Sequence, residues 1–199
     1  MPRRRPAVIL LCLILSGLGL SACATPPPAR NLEKISYSER PPIRLDVREI
    51  EIQRAYQPPN AAPNVDHLFP VPPAAGAQLW AADRLKAAGP SRRARFIVRE
   101  APVIEIRLAR SGGLTGAFTI EQSERYEARL VAELQILAED DRVEASVTVE
   151  VTHFRTVPEN LTLNERLRVW HQMTRSLLDE MDRQLDATIK EALTAYLVL

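Results

Sequence analysis

Alternating apolar and polar residues mark three strands in the second half of the chain. Residues 143–151 carry Val or Ala at every second position, with Glu, Ser and Thr between them. Residues 126–136 show the same period although several favour helices, and we give the period more weight than the propensity. A third run, residues 96–108, contains Pro102, which can interrupt it. The acidic pair at 140–141 predicts a hairpin between the last two strands.

An earlier strand changes parity part-way along. Ile43, Leu45 and Val47 alternate with polar residues, whereas Ile50 and Ile52 alternate with the opposite parity. One extra residue near 48–49 would return both groups to one face. The pattern therefore predicts a single strand with a β-bulge at that point.

Longer periods predict two helices. Residues 74–88 carry apolar residues at helical spacing, and Gly89-Pro90 provides the stop expected after a last turn. Thr162 and Glu165 have the spacing of a capping box, which satisfies free backbone amides at a helix start. Apolar residues then recur every three or four positions over 163–196, which predicts a helix of ~33 residues and about 50 Å. We expect its last turns to project beyond a small sheet.

The predicted elements follow the order β-α-β-β-β-α. Each strand has one polar face, so both helices must cover the other face of a single sheet. We therefore predict one α+β domain over residues 42–199. It is a two-layer sandwich in which two helices cover one face of an approximately four-stranded, mostly antiparallel sheet.

Residues 55–73 contain six prolines and cannot form a regular element. Within this loop Leu68, Phe69 and Val71 are apolar. They either fold back as a lid over the core, which we favour, or stand out as a docking surface for a partner.

The first 22 residues have the three regions of a secretory signal. Three arginines at 3–5 precede an apolar run over 7–15 and a stretch of small residues over 16–22. The apolar run is shorter than the ~20 residues that a spanning helix needs. We predict that residues 1–22 are a signal peptide, removed from the mature protein.

The end of this segment, Leu20-Ser21-Ala22-Cys23, resembles the lipobox of bacterial lipoproteins. The resemblance implies diacylglycerol on the Cys23 thiol, cleavage just before this residue, and an N-acyl chain such as palmitate on the new amino group. Two or more acyl chains anchor a protein stably to a membrane. The alternative is an ordinary signal with a chance cysteine. Residues 23–41, rich in proline, are predicted to be an extended tether rather than packed structure.

Net charge and cysteine content limit which partners and covalent links the mature protein can have. Once the three signal arginines are removed, 23 basic residues face 25 acidic ones, a net charge of −2. That balance argues against nucleic acid as a partner. Cys12 leaves with the signal, so the mature chain keeps only Cys23 and forms no disulfide. In lipoproteins of enteric-type bacteria an Asp after the cysteine favours the inner membrane, so Ala24 implies the inner leaflet of the outer membrane, facing the periplasm.

No grouping of residues points to catalysis or to a metal. His67, His153 and His171 fall on a loop, a strand and a helix, without the close spacing of zinc ligands. The loop with Ser111-Gly112-Gly113 lacks the Lys-Ser/Thr ending of a phosphate-binding loop, and the acidic run 139–141 is typical of a solvated turn. We expect a non-enzymatic protein with no metal and no cofactor besides the lipid on Cys23.

Arg92, Arg93 and Arg95 form the one compact basic cluster of the mature chain. It could face anionic lipid or a protein partner. A solvated strand edge is the interpretation that we prefer, because clusters of this size are common on neutral proteins.

The lipobox cysteine, the short tether, the order of elements, and Trp80 with Leu85 after a proline-containing loop resemble two groups of envelope lipoproteins. One group is the auxiliary lipoproteins of ABC-type lipid transport systems. The other is the small lipoprotein that partners the outer-membrane lipopolysaccharide-assembly barrel. Either resemblance implies a non-enzymatic accessory subunit in moving lipid across the envelope, with an envelope protein of a transport or assembly complex as its partner and lipid as a further candidate ligand.

A different class of function is a cell-wall-associated lipoprotein that modulates a peptidoglycan synthase. Small α+β domains on tethers also serve there. Reaching through the wall from the outer membrane asks for a long linker, and residues 24–41 are short for that task.

Overall fold

The computed structural model describes residues 32–108, 122–158 and 160–198. Within them the chain forms seven strands and two α-helices, with a short 3-10 turn in the proline-rich loop and another near the end. The elements in chain order are β1 (Ile43–Leu45), β2 (Glu49–Arg54), α1 (Pro73–Arg84), β3 (Leu85–Ala87), β4 (Arg93–Glu100), β5 (Val103–Arg107), β6 (Gln122–Leu137), β7 (Val143–Pro158) and α2 (Leu163–Ala192).

The main sheet confirms the α+β prediction. Across the sheet β2 pairs with β4, β4 with β6, and β6 with β7; only the β2–β4 pair is parallel. The strand predicted over 96–108 is two strands, because the chain breaks at Ala101-Pro102. Both parts pair with the same edge of β6, β4 with residues 131–137 and β5 with residues 124–128. The sheet therefore has five strands, one more than expected.

The long strands β6 and β7 agree with their alternating sequences. On β6, every second side chain from Tyr126 to Ile136 is buried, and on β7 Val147, Val149 and Val151 are buried beside them. Cross-strand register places these residues on one face, opposite each other in the pairs Leu134–Val147, Ala132–Val149 and Leu130–Val151. The helices cover this face, and Trp80 of α1 meets Phe96 of β4 there with ring centroids 5.5 Å apart. The period-two pattern thus marks the core face directly.

The predicted β-bulge near Arg48 is wrong. The chain leaves β1 after Leu45 and enters β2 at Glu49, and the two strands belong to different sheets. β1 forms a small parallel pair with β3, with Ile43 opposite Leu85, while β2 joins the main sheet. The parity changes because the chain changes sheets over residues 46–48, not because one strand carries an extra residue.

Both helices begin close to where the sequence predicts, but each ends differently. α1 stops at Arg84 rather than at Ala88, because residues 85–87 are extended and pair with β1. α2 starts with the predicted capping box: the Glu165 amide donates to Thr162 Oγ1 (3.3 Å), and the Thr162 amide donates to Glu165 Oε2 (2.9 Å).

The expectation that the last turns of α2 project beyond the domain is also wrong. Ile189 and Leu193 are buried, so the apolar stripe stays on the core to its end. After α2 the chain turns back onto β1, where the Asp46 amide donates to the Tyr196 carbonyl (2.8 Å) and the Val198 amide donates to the Arg44 carbonyl (2.9 Å). The chain after α2 therefore packs against the small β1–β3 sheet.

Residues 33–40, which we call the strap, pack against the domain. Ile35 and Tyr37 are buried, and the strap contacts α1 through Asp83 and α2 through Asp179. The interpretation of residues 23–41 as an unpacked tether is therefore wrong for its second half, because two apolar side chains and several hydrogen bonds hold it to the helices. No helix in the described part of the chain is long and apolar enough to cross a membrane.

Candidate functional site

The proline-rich loop forms a lid over the core. Phe69 is buried and stacks on Trp170 of α2, with ring centroids 5.1 Å apart and planes at 12°. Val71 packs against the core, and its carbonyl accepts a 2.8 Å hydrogen bond from Thr174 Oγ1. Leu68 alone of the three apolar residues is largely exposed, at 51%. Phe69 is thus buried and Val71 half-buried against the core, so the three residues do not form one exposed docking surface.

The same loop also covers one edge of the sheet. The Val65 amide donates to the Val103 carbonyl (2.8 Å), and the Glu105 amide donates to the Pro63 carbonyl (2.9 Å). These bonds satisfy the outer edge of β5. Below the loop Tyr56 donates to Asp66 (3.2 Å), and burial together with the Asp66 charge raises the pKa of Tyr56 to about 12.

The basic cluster is neutralised by carboxylates. Its three side chains pair as follows: Arg92 with Glu144 (3.0 Å) and Asp46 (3.4 Å), Arg93 with Glu49 (3.7 Å) and Asp141, and Arg95 with Glu51 (2.9 Å). Arg93 and Arg95 lie on β4, which is an interior strand between β2 and β6, and Arg92 directly precedes it. The interpretation as a solvated strand edge is therefore replaced by half-exposed arginines that carboxylates neutralise.

The remaining candidates do not converge on a site. His67 is exposed, His153 half-buried and His171 buried, each on a different element. In the described ranges, no three His, Cys, Asp or Glu side chains lie close enough together to hold a metal ion. The Ser111-Gly112-Gly113 loop and Cys23 lie outside the described residues.

A buried polar network between the two helices escaped the sequence analysis. Asp182 Oδ1 accepts hydrogen bonds from Trp80 Nε1 (2.5 Å) and Arg84 Nε (2.8 Å), and Asp182 Oδ2 contacts Arg40 of the strap. Arg84 also reaches Asp186 through Nη2 (2.9 Å). The side chains of Arg84 and Asp182 are each only 4% exposed.

Electrostatics favour the charged form of the central carboxylate. Burial acts to raise the pKa of Asp182, but hydrogen bonds from Trp80 and Arg84 and the charges of Arg84 and Arg40 outweigh it, so this pKa lies below its ordinary value. The pKa of Tyr37 is raised by burial and by Asp179, to which its hydroxyl donates (3.0 Å). Every charge here has a partner, so the network joins strap and helices rather than holding a reactive group. Its signal in the sequence was faint: a Trp and an Arg four apart on α1 facing two Asp four apart on α2.

The face of the sheet away from the helices is lined by ion pairs. Arg99 pairs with Glu133 (2.7 Å), and Arg129 pairs with Glu150 (2.7 Å) and with Glu100. At one end of this face Phe154 is 61% exposed, with the Arg125 guanidinium 4.3 Å from its ring centroid. Beside it lies a shallow cleft of about 330 Å³ whose walls include Pro102, Ile104, Ala128 and Thr152.

A second open feature runs along β7. This strand pairs with β6 on one side, and among the described residues no strand pairs with its outer edge. Two adjoining clefts of about 280 and 460 Å³ separate that edge from α2, and both are lined by His153 and Ser176. Burial, and then the charge of Arg155, lower the pKa of His153. We call these two clefts together the edge groove.

The described domain is thus a two-layer α+β domain with satisfied internal charges and one long open strand edge. The sequence matches no protein-family model, and it matches no curated protein.

Several solved structures show a distant likeness in fold. A minor lipoprotein from Acinetobacter baumannii is 13% identical, with 73% of this chain and 92% of that chain covered, at a TM-score of 0.36. A protein from Xanthomonas campestris is 13% identical, and the match covers 81% of this chain and 95% of the Xanthomonas chain, at a TM-score of 0.35. The rare lipoprotein B of Shewanella oneidensis is 12% identical, with 72% and 97% covered, at a TM-score of 0.35.

Proposed function

We propose that this chain is a bacterial envelope lipoprotein, held at a membrane by acyl chains on Cys23. The observation that carries the proposal is the coincidence of three features: arginines at 3–5, an apolar run over 7–15, and the box Leu20-Ser21-Ala22-Cys23. A cysteine thiolate is a strong nucleophile, so Cys23 is chemically suited to alkylation by a lipid. Two or three acyl chains would hold the mature protein at the bilayer without a spanning helix.

The strap keeps the domain close to that anchor. Its first residue, Glu33, pairs with Arg175 of α2. Glu33 lies ten positions after Cys23, and an extended chain spans at most about 3.3–3.6 Å per residue. Packing of the strap therefore keeps Glu33 within roughly 35 Å of the anchor. Such a domain works beside the membrane surface, on the periplasmic side. By the same resemblance to lipoproteins of enteric-type bacteria, Ala24 favours the inner leaflet of the outer membrane.

Within this class we propose a non-enzymatic accessory subunit of an envelope lipid transport or assembly system, which acts by binding a protein partner. Among the described residues, the buried charges of Arg84 and Asp182 pair with each other and hold the two helices together. The surface features that stay open, the edge groove and the cleft beside Phe154, suit binding rather than bond-breaking chemistry. The short reach from the anchor weighs against a partner on the far side of the cell wall.

Acylation of Cys23 is tested by mass spectrometry of the mature protein and by incorporation of labelled palmitate. We expect an N-terminal peptide that begins at residue 23 and carries diacylglycerol with an N-acyl chain. Cys23→Ala should abolish labelling, whereas the matched variant Cys12→Ala, which alters only the signal peptide, should label normally. A mature N-terminus elsewhere, or a free thiol at position 23, would overturn the proposal.

The role in transport or assembly is tested separately. Crosslinking in intact cells, followed by purification of the lipidated protein, should recover a subunit of a lipid transporter or of an outer-membrane assembly complex. Recovery of a peptidoglycan synthase instead would overturn this assignment while leaving the lipoprotein class intact.

A further inference from the structure

The outer edge of β7 is long, regular and unprotected within the described part of the chain. Its 16 residues span about 53 Å at ~3.3 Å per residue. Pairing with β6 runs without a register shift from Ala145 to Val157, and residues 143–157 contain neither lysine nor proline. Bulges, lysines and prolines are among the devices that prevent an edge strand from pairing with another chain, and other charged side chains also serve. Residues 145–157 contain none of the first three, and their charged residues besides His153 are Glu150 and Arg155.

The opposite edge of the same sheet, in contrast, is covered. There, residues 63–65 of the proline-rich loop cover the edge of β5, with backbone hydrogen bonds to Val103 and Glu105. β2 forms the remaining edge and has only six residues. The long free edge is therefore confined to β7, within the described ranges.

The edge groove gives this free edge a defined shape. On one side lie residues of β7 between Glu150 and Arg155, and on the other lies α2. The α2 wall is polar along one cleft, with Ser176, Glu180 and Gln184, and it includes the apolar Val169 and Met173 in the cleft that Arg155 also lines. A strand added to β7 would turn every second side chain toward this wall, so we expect polar side chains beside Glu180 and an apolar one beside Val169.

The charged side chains along the groove indicate which side chain one position of an added strand should carry. Glu150 is paired with Arg129, Arg175 with Glu33, and Glu180 with Arg183. The Arg155 side chain, in contrast, makes no ion pair or hydrogen bond with another described side chain. It is exposed and lies on the groove side of β7, opposite Tyr126. Its neighbour His153 has a lowered pKa, because burial and the charge of Arg155 disfavour the imidazolium, so Arg155 is the group of the pair that carries the positive charge.

We propose that β7 and α2 form a docking site for an extended segment of a partner protein, which adds as a further strand to the outer edge of β7. Its side chains toward α2 are polar beside Glu180 and apolar beside Val169, and one of them is an Asp or Glu that pairs with Arg155. Backbone hydrogen bonds to β7 supply affinity, and the carboxylate sets the register. The inference rests on the proposed function only in that the partner must be reachable from a domain anchored at Cys23.

The test uses the full-length protein in its own membranes. A photo-reactive benzoylphenylalanine replaces Ser176, which lines both clefts, and the matched control replaces Leu79, which is exposed on α1 away from the groove. We expect an adduct from position 176 and none from position 79. Mass spectrometry should place the crosslink in an extended partner segment that contains an acidic residue.

Charge reversal then tests the predicted pair. Arg155→Glu should lower the yield of adduct about tenfold, and exchange of the partner's acidic residue for Arg should restore it. Arg155→Gln should give a smaller loss, and it serves as the readout if Arg155→Glu lowers the melting temperature.

Four results would overturn the proposal: no adduct, equal adducts from the two positions, an adduct with lipid or with a second copy of this chain, or a yield that ignores both Arg155 variants. Acylation of Cys23, measured in the same samples, keeps such a failure distinct from failure of the proposed function.

Discussion

Trp80 Nε1 donates a 2.5 Å hydrogen bond to Asp182 Oδ1, a contact that links α1 to α2 across 102 positions of sequence. The same oxygen accepts from Arg84 Nε (2.8 Å), so one buried carboxylate fixes both an indole and a guanidinium. Because Arg40 reaches its other oxygen, the strap is fastened at this point too. The strap is therefore joined to the helix layer through a short chain of polar contacts.

Loss of this carboxylate charge should cost far more stability than loss of a surface charge. Asp182→Asn leaves the Arg84 guanidinium, 4% exposed, without its main counter-charge. Breaking a buried pair from one side typically costs about 3–5 kcal/mol. We expect a decrease of that size in the free energy of unfolding, measured by urea denaturation. The control is Asp140→Asn in the exposed hairpin turn, where the change should stay within ~0.5 kcal/mol. Equal effects of the two variants would show that the network contributes no stability.

The same residue should give the protein a specific response to acid. The pKa of Asp182 in the folded protein lies below its ordinary value of 3.8. A carboxyl with a lower pKa when folded contributes its full stability above the unfolded-state pKa, and loses it as pH falls through the folded-state value. The difference in unfolding free energy between wild type and Asp182→Asn should therefore be constant near neutral pH and shrink below pH ~4. Denaturation curves between pH ~7 and ~2.5 measure it, and a difference that grows in acid would contradict the assignment.

The elements that sequence could predict are those whose pattern is local. The strand β6 and the capping box at Thr162 each depend on residues within a few positions of one another, so period and spacing suffice. The start of β2 is different, because its parity change has two explanations, a bulge or a change of sheet. Only the pairing of β1 with β3, residues 85–87, distinguishes them, and that pairing is not local.

The same distinction explains the features of the surface that sequence could not locate. The strap looks like part of a tether because prolines at 26–28 and 41–42 flank it and polar residues dominate it, yet Ile35 and Tyr37 are buried against the domain. The open edge of β7 depends on the absence of a neighbour, which no pattern within β7 itself can indicate. Arg155 likewise looks ordinary until Glu150, Arg175 and Glu180 along the groove are seen to have ion-pair partners of their own.

Two adjacent residues in the proline-rich loop should differ strongly in how much their truncation lowers the free energy of unfolding. Phe69 stacks on Trp170, whereas Leu68 is 51% exposed. Phe69→Ala removes a buried ring and leaves a cavity, so we expect a loss of about 3–5 kcal/mol in unfolding free energy. Leu68→Ala should change it by less than ~0.5 kcal/mol. Urea denaturation of the pair tests whether the loop is a lid, and comparable small effects would mean that Phe69 is not held in the core.

Two glycines provide a matched test of how closely backbone segments approach each other. A Cβ at Gly89 would lie 2.6 Å from the Asp46 carbonyl carbon and 2.8 Å from the Asp46 Cα, so backbone atoms stand in its way. The Gly89 amide also donates to the Val47 carbonyl (3.0 Å), which holds the two segments together where the chain passes from the small sheet to the main one. Gly89→Ala must force these segments apart, and overpacking of this kind costs about 1–3 kcal/mol.

Gly76 is equally crowded, but by a different kind of atom. Its Cβ would meet Leu178 Cδ1 at 2.6 Å, the far end of a flexible side chain that can rotate away. Alanine inside a helix also gains about 1 kcal/mol over glycine, which offsets the cost of moving Leu178. We therefore expect Gly76→Ala to be nearly neutral and Gly89→Ala to be clearly destabilising, as measured by thermal denaturation of both variants beside wild type. If Gly76→Ala proved the more harmful, the close passage of Asp46 over Gly89 would not be the constraint that the structure indicates.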